Sequence, residues 1–454
     1  MSRFVFSIAP GAQHRRSRFV GILLLALLAA AGITSAIAQS PVLPVGTRFI
    51  MSHFKIEGTN QTEKLYISTS PNGTAWTPLN NGNPVWEPPN AAPFHNVVRD
   101  PSIVFANGFY WVAYTAGNYG YRPSFGLIKS VDLLNWTFVT DVSTHLPTAY
   151  DPFTWGPFFF KDTDGSVHIF VSIGEKTDPN TGQAIFRLRT YEVHPLNADF
   201  TQWSAPVLVQ APSDFINEFW VWREGDTYHA VYVDFRQNGR NVHVTSSNLI
   251  TGWNTPQVLG LDGLEGAFVL KKPTGGYRVY VEGVPAYGYR YYDYSDAFTS
   301  PVGPTYVSSP ITMRNGKVIT AAATTTYADW KQLELPGLAE NERAPLADAD
   351  ADGLKNIVEC ATGLPPAAST ASALALQMHS SGALRLRYTH LGSIAGITLE
   401  LEPSSSLDFL APAPPASLRS STMLSDGREL LEWHAPALTP PEARYFRLRA
   451  TFTP

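Results

Sequence analysis

The sequence lacks the features of a disulfide-stabilised, nucleic-acid-binding or membrane-spanning protein. Cys360 is the only cysteine, so no internal disulfide can form, and we expect a buried, unreactive side chain there. Charged residues make up only 16% of the chain and the net charge is −5, which leaves no basic face for a nucleic acid. Beyond residue 38, no segment is apolar enough over a sufficient length to be a candidate for a membrane span.

The first 38 residues have the three parts of a secretory signal. Arginines at positions 15, 16 and 18 form a basic segment. The apolar run that follows, over residues 20–33, is too short to span a bilayer comfortably. Ala36-Ile37-Ala38 then provides a cleavage site of the small-x-small type. We therefore expect a cleaved signal over residues 1–38 and a secreted protein, located in the periplasm, at the cell surface or outside the cell.

Aromatic residues are abundant, at 12%, and many of them fall in a pattern that occurs five times. Each copy has a short apolar run, a polar or glycine-containing turn and an aromatic-rich apolar run, and four copies close on a phrase that ends in Trp. The copies begin at His53, Asp100, Trp155, Glu218 and Glu265. A repeat of roughly 45–60 residues built from short strands and turns is typical of a β-propeller. The sequence therefore predicts an all-β chain with a five-bladed β-propeller.

Changes of composition divide the chain after its signal into three parts. We predict the propeller over residues 45–322, a linker with an Asp-rich loop over residues 323–365, and a C-terminal β-domain over residues 366–454. In this last part, residues 384–388 and 397–401 alternate between apolar and polar side chains with a period of two. That alternation indicates half-buried strands, and hence a small β-sandwich.

The linker contains a complete calcium-loop pattern, D-x-D-x-D-G-x5-E, at residues 348–359. Oxygen ligands at positions one, three, five and twelve suit a hard cation such as Ca²⁺, and the glycine at position six allows a sharp turn. The predicted ligands are Asp348, Asp350, Asp352 and Glu359. The alternative is a solvated acidic linker. A short helix is expected after the loop, over residues 354–361.

Acidic residues stand at the heads of three of the copies, at Asp100, Glu218 and Glu265. In a propeller, the heads of the innermost strands converge on one central pocket. Glycoside hydrolysis needs one carboxylic acid to protonate the leaving oxygen and a second carboxylate as base or nucleophile, and a separation of about 6.5–9.5 Å leaves room for the water of an inverting reaction. Taken singly, Asp100 fits a turn before proline and Glu265 fits an ordinary surface residue. Their joint occurrence at repeat heads favours a functional pair.

Three short motifs resemble, in order and spacing, the signature of glycoside hydrolase family 43. They are Arg-Asp-Pro-Ser at 99–102, Trp-Gly-Pro at 155–157 and Glu-Gly at 265–266, and the resemblance covers roughly residues 49–310. It implies a five-bladed propeller enzyme that acts mainly on arabinose- and xylose-containing glycans. It also implies that Asp100 is the general base and Glu265 the general acid. A third carboxylate would raise the pKa of the acid. The repeat register favours Glu218 for that role, with Asp214 as second choice.

The motif Arg-Asp-Pro also resembles that of invertase-like furanosidases, which place a nucleophilic Asp at the head of the first repeat. The head here is Ser52-His53-Phe54, without a carboxylate, which argues against a retaining mechanism. His53 is predicted either to bind a sugar hydroxyl in the pocket or to be a core histidine. The other predicted substrate-binding residues are Arg99, Phe153, Trp155 and Trp220, with structural packing as the alternative for the aromatic ones.

Residues 328–454 resemble the C-terminal extensions of secreted bacterial polysaccharide-degrading proteins, which implies a bacterial secreted protein. The favoured function is that of an inverting exo-glycosidase, an α-L-arabinofuranosidase or β-xylosidase, acting on an oligo- or polysaccharide without a cofactor for catalysis. One alternative is a non-catalytic carbohydrate-binding propeller, because a Glu at the third position departs from the usual Asp of the family. Another is a surface-attachment protein whose function lies in the tail.

Overall fold

The computed structural model describes residues 43–452, apart from residues 45, 56–62, 89–96, 117–121, 147–152, 178–180, 182–183, 284–287, 322–326, 353, 367–374, 379–383, 391–396, 405–415, 426–427 and 436–444. The predicted signal over residues 1–38 lies outside the described part of the chain, so it stays a prediction. Among the residues that are described, no helix is long and apolar enough to cross a membrane.

Twenty antiparallel strands between Phe49 and Thr320 form five four-stranded sheets. The chain starts with β1 (Phe49–Lys55), β2 (Lys64–Ser70) and β3 (Thr77–Pro78). The second sheet is β4 (Arg99–Ala106), β5 (Phe109–Thr115), β6 (Ser124–Ser130) and β7 (Thr137–Ser143). The third is β8 (Phe153–Lys161), β9 (Val167–Thr177), β10 (Ala184–Val193) and β11 (Val207–Leu208).

The last two sheets follow the same up-and-down order. The fourth is β12 (Ile216–Glu224), β13 (Thr227–Asp234), β14 (Arg240–Ser246) and β15 (Gln257–Asp262). The fifth is β16 (Leu264–Lys271), β17 (Tyr277–Gly283), β18 (Tyr289–Tyr294) and β19 (Val302–Tyr306). Then β20 (Arg314–Thr320) pairs with β1 and gives the first sheet the order β20-β1-β2-β3. Two short 3₁₀ helices, Asn80–Gly82 and Phe235–Gln237, lie in connections.

The innermost strands contact one another in a closed cycle, β20 to β4, β4 to β8, β8 to β12, β12 to β16 and β16 back to β20. The predicted all-β propeller fold is therefore confirmed. One detail of the repeat alignment was wrong. The copy that begins at His53 supplies the second strand of its sheet, because β20 from the far end of the propeller takes the innermost place. The fifth strand head is thus Arg314, not His53.

The closing phrase of the repeat is a turn that carries a tryptophan into the core. The indole Nε1 of Trp76, Trp136 and Trp203 donates to the backbone carbonyl three residues earlier, at 2.8–3.0 Å. In all three of these turns an Asn or Asp side chain accepts from backbone amides that follow it, as Asp132 Oδ1 does from Leu134 and Asn135. Packing between sheets therefore explains these tryptophans.

After the propeller come two helices, α1 (Tyr327–Glu334) and α2 (Asn356–Thr362), the second at the place where the short helix was predicted. Six more strands follow: β21 (Ala375–Met378), β22 (Leu384–His390), β23 (Ile397–Ser404), β24 (Ser417–Met423), β25 (Glu429–Ala435) and β26 (Tyr445–Phe452). They form a sheet of order β21-β22-β25-β24 and a pair β23-β26. The predicted domain boundaries and the sandwich arrangement stay predictions.

The strand β24 lies against the ends of the innermost strands that are opposite to their heads. Thr422 Oγ1 donates to Arg223 O at 3.1 Å, and Ser425 N donates to Lys271 O at 2.6 Å. A cavity of about 650 Å³ lies between these strand ends and strands β24 and β25. The C-terminal sheet therefore covers the end of the propeller axis that is opposite to the strand heads, which carry the carboxylates.

Candidate active site

Each innermost strand carries a β-bulge close to its N-terminal end. In β4, Arg99 pairs with Thr115 and Ser102 with Ala113, so Asp100 and Pro101 lie opposite a single residue. The same two-against-one pairing occurs in β8, β12, β16 and β20. Bulges of this kind re-aim a side chain and are frequent at functional sites. The five innermost strands are therefore equivalent in structure at these bulges.

The first residue of every bulge has a positive φ. The five are Asp100 (47°), Gly156 (53°), Glu218 (61°), Gly266 (70°) and Asn315 (41°). A positive φ is uncommon outside glycine and costs of order 1–3 kcal/mol when the surroundings impose it. Three of the five positions nevertheless carry a polar side chain. The strained residues Asp100, Glu218 and Asn315 lie in the innermost strands, and strained backbone of this kind is frequent at active sites.

One amide brings two of these side chains together. Asn315 Nδ2 donates to Asp100 Oδ1 at 2.7 Å and to Glu218 Oε1 at 2.6 Å. The other oxygen of each carboxylate has its own donor: Thr115 Oγ1 to Asp100 at 3.0 Å, and Gly266 N to Glu218 at 2.6 Å. The predicted base and the predicted third carboxylate are thus neighbours, held in place by neutral donors.

Glu265 lies one residue before the bulge of β16, so its register position is that of Arg99 and not that of Asp100. The expectation that the two predicted catalytic carboxylates occupy matched positions was wrong by one residue. The Glu265 side chain is 47% exposed, and Arg314 Nη2 lies 3.9 Å from its Oε2. Burial, followed by the charges of Glu282 and Asp100, raises the pKa of this carboxyl. Glu265 is therefore a carboxyl group with a raised pKa that solvent can reach.

Glu218 has the opposite environment, with only 2% of the residue exposed. Burial raises its pKa to about 7, while Lys317 opposes that rise and the charges of Glu265 and Asp100 add to it. The other candidate for the third carboxylate, Asp214, is 52% exposed and pairs with Arg236 at 2.9 Å, which lowers its pKa. The structure therefore brings Glu218, and not Asp214, to Asp100 and Glu265.

The closing strand adds a buried lysine that the sequence argument missed. Lys317 is 1% exposed, and its Nζ donates to Gly266 O at 3.1 Å and to Asn315 Oδ1 at 2.9 Å. It also lies 4.3 Å above the ring of Phe158. Burial lowers its pKa to about 8, against the charges of Glu218 and Asp100. Because Asn315 Oδ1 accepts from this ammonium, its Nδ2 must face the two carboxylates.

Glu282 is the second group that the sequence argument missed. It lies on β17 directly opposite Glu265 and is fully buried. Arg314 Nη2 donates to it at 3.0 Å, and the backbone N of Asn315 at 3.1 Å. The sequence does contain a pattern that marks the start of β20. In Arg-Asn-Gly-Lys at 314–317, the arginine and the Asn correspond to the arginine and the Asp of Arg-Asp-Pro-Ser at 99–102.

Of the five residues predicted to bind substrate, Arg99 and Trp155 lie at the head end, Phe153 and His53 are buried in the core, and Trp220 is partly buried. Arg99 neighbours Asp100 and donates to Glu63 Oε1 at 2.6 Å. Trp155 is partly exposed, but Phe153 beside it is fully buried, with ring centroids 4.8 Å apart. Trp220 lies beyond its bulge and packs on Phe158 and Phe268.

His53 also lies in the core rather than in the pocket. It is fully buried, its Nε2 is 2.8 Å from Ser68 Oγ, and burial lowers its pKa to about 3. The pocket role predicted for His53 and the stacking role predicted for Phe153 are therefore corrected, because both side chains are fully buried. The stacking role of Trp220 stays a prediction.

Glycosidases need two carboxyl groups in different environments, and the five-sheet ring places such groups together at its axis. Residues 46–325 match the family described as a probable glycosyl hydrolase domain, which is related to glycoside hydrolase family 43. The chain belongs to this family. It is thus a glycoside hydrolase with a propeller-type fold, and the match spans more than half of its length.

Comparison with curated proteins finds no match. Similar solved structures include an α-L-arabinofuranosidase from Podospora anserina, 13% identical over 81% of this chain and 98% of that chain, with a TM-score of 0.38. An exo-1,5-α-L-arabinanase from a bovine ruminal metagenomic library is 13% identical over 56% and 91%, with a TM-score of 0.39. An α-L-arabinofuranosidase from Clostridium thermocellum is 14% identical over 59% and 91%, with a TM-score of 0.40. Scores this low say nothing about the sugar on which this chain acts.

Proposed function

We propose that this protein is a secreted, inverting exo-glycosidase that releases arabinose or xylose from plant-type glycans, as an α-L-arabinofuranosidase or a β-xylosidase. The observation that supports it most is the contrast between three neighbouring carboxyl groups. Glu265 is half exposed, Asp100 is held by two neutral donors, and Glu218 is almost fully buried. Environments that push the pKa values of carboxyl groups apart divide the roles of acid and base between them.

Glu265 is the general acid in this proposal. Its raised pKa favours the protonated carboxyl that a general acid needs. Its exposed oxygen can reach the glycosidic oxygen of a sugar in the pocket and protonate it as the bond breaks. Arg314, 3.9 Å away, then stabilises the carboxylate that this proton transfer leaves behind.

Asp100 is the general base. Both of its oxygens accept hydrogen bonds, from Asn315 and from Thr115, and these fix the position of the carboxyl group. The Thr115 hydroxyl is fixed in turn, because its oxygen accepts from the backbone N of Gly156 at 2.9 Å. A carboxylate held in this way can take a proton from the water that attacks the sugar on the face opposite the leaving group.

Glu218 and Glu282 act through these two groups. Glu218 accepts from Asn315 and Gly266 and so fixes the amide that also orients Asp100. The charge of Glu265 raises the pKa of Glu218, whereas the charges that raise the pKa of Glu265 are those of Glu282 and Asp100. We therefore assign to Glu282 a part of the electrostatic role that the sequence argument gave to Glu218 alone.

The remaining parts of the proposal rest on the sequence. The choice of arabinose or xylose follows from the resemblance of the motifs at 99–102, 155–157 and 265–266 to those of family 43. Secretion follows from the signal pattern over residues 1–38. Bacterial origin follows from the resemblance of residues 328–454 to the extensions of secreted polysaccharide-degrading proteins.

The test is a screen of aryl glycosides with the purified chain. We expect release of the aryl group from an α-L-arabinofuranoside or a β-D-xylopyranoside, and proton NMR should show the first sugar product with inverted anomeric configuration. Product of retained configuration would contradict the mechanism.

The matched variants for this screen are Asp100→Asn and Asp214→Asn. Asp100→Asn should abolish turnover but keep the fold, because an Asn amide can donate to Thr115 Oγ1 while its oxygen still accepts from Asn315. Asp214→Asn, which removes an acid of the exposed Arg236 pair, should leave turnover unchanged. Sugar binding by the wild type without any hydrolysis would favour the alternative of a carbohydrate-binding propeller.

A further inference from the structure

The Asp-rich loop between the two helices gathers carboxylates at one point. Asp348, Asp350 and Asp352 each offer a carboxylate oxygen, and these oxygens all lie within 4.8 Å of one another. Hydrogen bonds from the backbone of the loop to its own aspartates fix the conformation of the loop. Ala351 has a φ of 63°, Asp352 N donates to Asp350 Oδ1 at 3.2 Å, and Leu354 N donates to Asp352 Oδ1 at 2.8 Å. Like charges at this spacing repel one another.

A fourth carboxylate, that of Glu359 in the first turn of α2, lies beside this cluster. Glu359 is fully buried, yet neither of its carboxylate oxygens has a hydrogen-bond partner among the described residues. Asp350 Oδ2 is likewise buried without a partner in that part of the chain. The charges of Asp350, Asp352 and Asp348 all act on Glu359, so its carboxylate lies beside theirs. A buried carboxylate beside three others costs stability unless a cation compensates it.

We propose that Asp348, Asp350, Asp352 and Glu359 bind one calcium ion. Four carboxylates at positions one, three, five and twelve of a loop offer up to eight oxygens, and Ca²⁺ takes six to eight oxygen ligands in a flexible geometry. Mg²⁺ demands a smaller, near-octahedral site and keeps much of its water, so it is a poorer fit for a ligand set in which one carboxylate is fully buried. This site lies outside the propeller and is independent of the proposed enzymatic function.

The ion is placed to hold the C-terminal sheets to the helices. The buried face of α2 includes Ile357 and Cys360, which pack with Tyr327, Trp330 and Leu335 around α1. Ile397 of β23 and Ala450 of β26 pack against the same cluster. The C-terminal end of α2 is tied to the larger sheet, since Thr389 Oγ1 donates to Thr362 O at 2.7 Å. A ligand that fixes the first turn of α2 therefore fixes the contacts of both sheets.

The test uses the full chain, stripped of metal with EDTA and titrated with CaCl₂ in a calorimeter. We expect the wild type to bind one more Ca²⁺ than Glu359→Gln, or to bind it at least about 100-fold more tightly, since a charged ligand of the ion is lost. Glu340→Gln is the matched control on the same segment, because Glu340 is exposed and paired with Lys331. It should bind Ca²⁺ as the wild type does.

Thermal unfolding gives a second readout. Calcium should raise the melting temperature of the wild type and of Glu340→Gln, and should not raise that of Glu359→Gln. Asp350→Asn is the second variant, for use if Glu359→Gln does not fold, and it should show the same loss. Equal affinity and equal number of bound ions in the wild type and in both ligand variants would overturn the proposal. An equal rise of the melting temperature with MgCl₂ at the same concentration would overturn the assignment to calcium.

Discussion

Replacing Glu218 by Gln should make the protein more stable at alkaline pH while impairing its chemistry. Burial raises the pKa of this carboxyl from 4.5 to about 7. The ionised side chain is therefore about 3 kcal/mol less favourable in the folded chain than in the unfolded chain, at 1.36 kcal/mol per pKa unit. Gln has nearly the same shape and no charge, so it removes that cost. The new side-chain amide faces the backbone N of Gly266, so two hydrogen-bond donors meet. This lowers the free energy of unfolding by roughly 1–3 kcal/mol at every pH.

The pH dependence separates these two effects. Because the folded-state pKa lies above the ordinary one, both states carry the proton below pH 4.5, and the carboxyl then costs nothing. As the pH rises from 4.5 to about 7, the unfolded chain loses its proton first, so the wild type loses about 3 kcal/mol of stability that Glu218→Gln keeps. The donor clash does not change over this range.

The assay is urea unfolding of both proteins at about pH 4 and about pH 8, read as the difference in unfolding free energy. That difference should move by about 3 kcal/mol in favour of Glu218→Gln between the two pH values. Asp214→Asn is the control: Arg236 lowers the pKa of Asp214 below 3.8, so what this carboxylate contributes is already present near pH 4. The gap between the wild type and this variant should therefore change little between the two pH values. A gap between the wild type and Glu218→Gln that is the same at both pH values would refute a desolvated Glu218.

Three further variants test the groups around Glu218. Glu265→Gln should lower kcat by roughly 10²–10⁴ on natural glycans and by less on aryl glycosides, whose leaving groups need no proton; equal losses would count against the acid role. Glu282→Gln should move the basic limb of the pH profile of kcat/KM to lower pH, because the carboxylate that raises the pKa of Glu265 is lost; an unmoved limb would exclude it from that role. Lys317→Met should lower kcat more than it raises KM, since Asn315 loses the ammonium that orients its amide; a change in KM alone would place Lys317 in substrate binding.

The repeat pattern was sufficient to place Asp100 and Glu218. Both follow from their distance to the next glycine in the strand–turn–strand unit, and the structure puts both at the same bulge position. A repeat pattern counts positions along one strand, so it cannot resolve a displacement of one residue at a bulge. Glu265 shows the consequence, because it lies one position before the bulge and gains its exposure from that displacement.

Asn315, Lys317 and Glu282 could not be placed in the same way. The first two belong to β20, whose partner β1 is more than 250 residues earlier in the chain. The local likeness of residues 314–317 to residues 99–102 marks a strand head, but it does not show that this strand pairs with β1. Glu282 becomes relevant through its cross-strand pairing with Glu265, which depends on the bulge register. His53 was misjudged for the complementary reason, because a repeat that begins the chain need not begin a sheet.

The closure of the ring by β20 also depends on the order in which the chain is synthesised. Asp100 and Glu218 are made early, but the amide that joins them belongs to the last strand of the propeller to leave the ribosome. A nascent chain, or a fragment that stops before Arg314, holds the carboxylates without the donor that sets them side by side. The donor that joins Asp100 and Glu218 is therefore in place only when β20 has paired with β1, so the full site depends on contact between the two ends of the propeller.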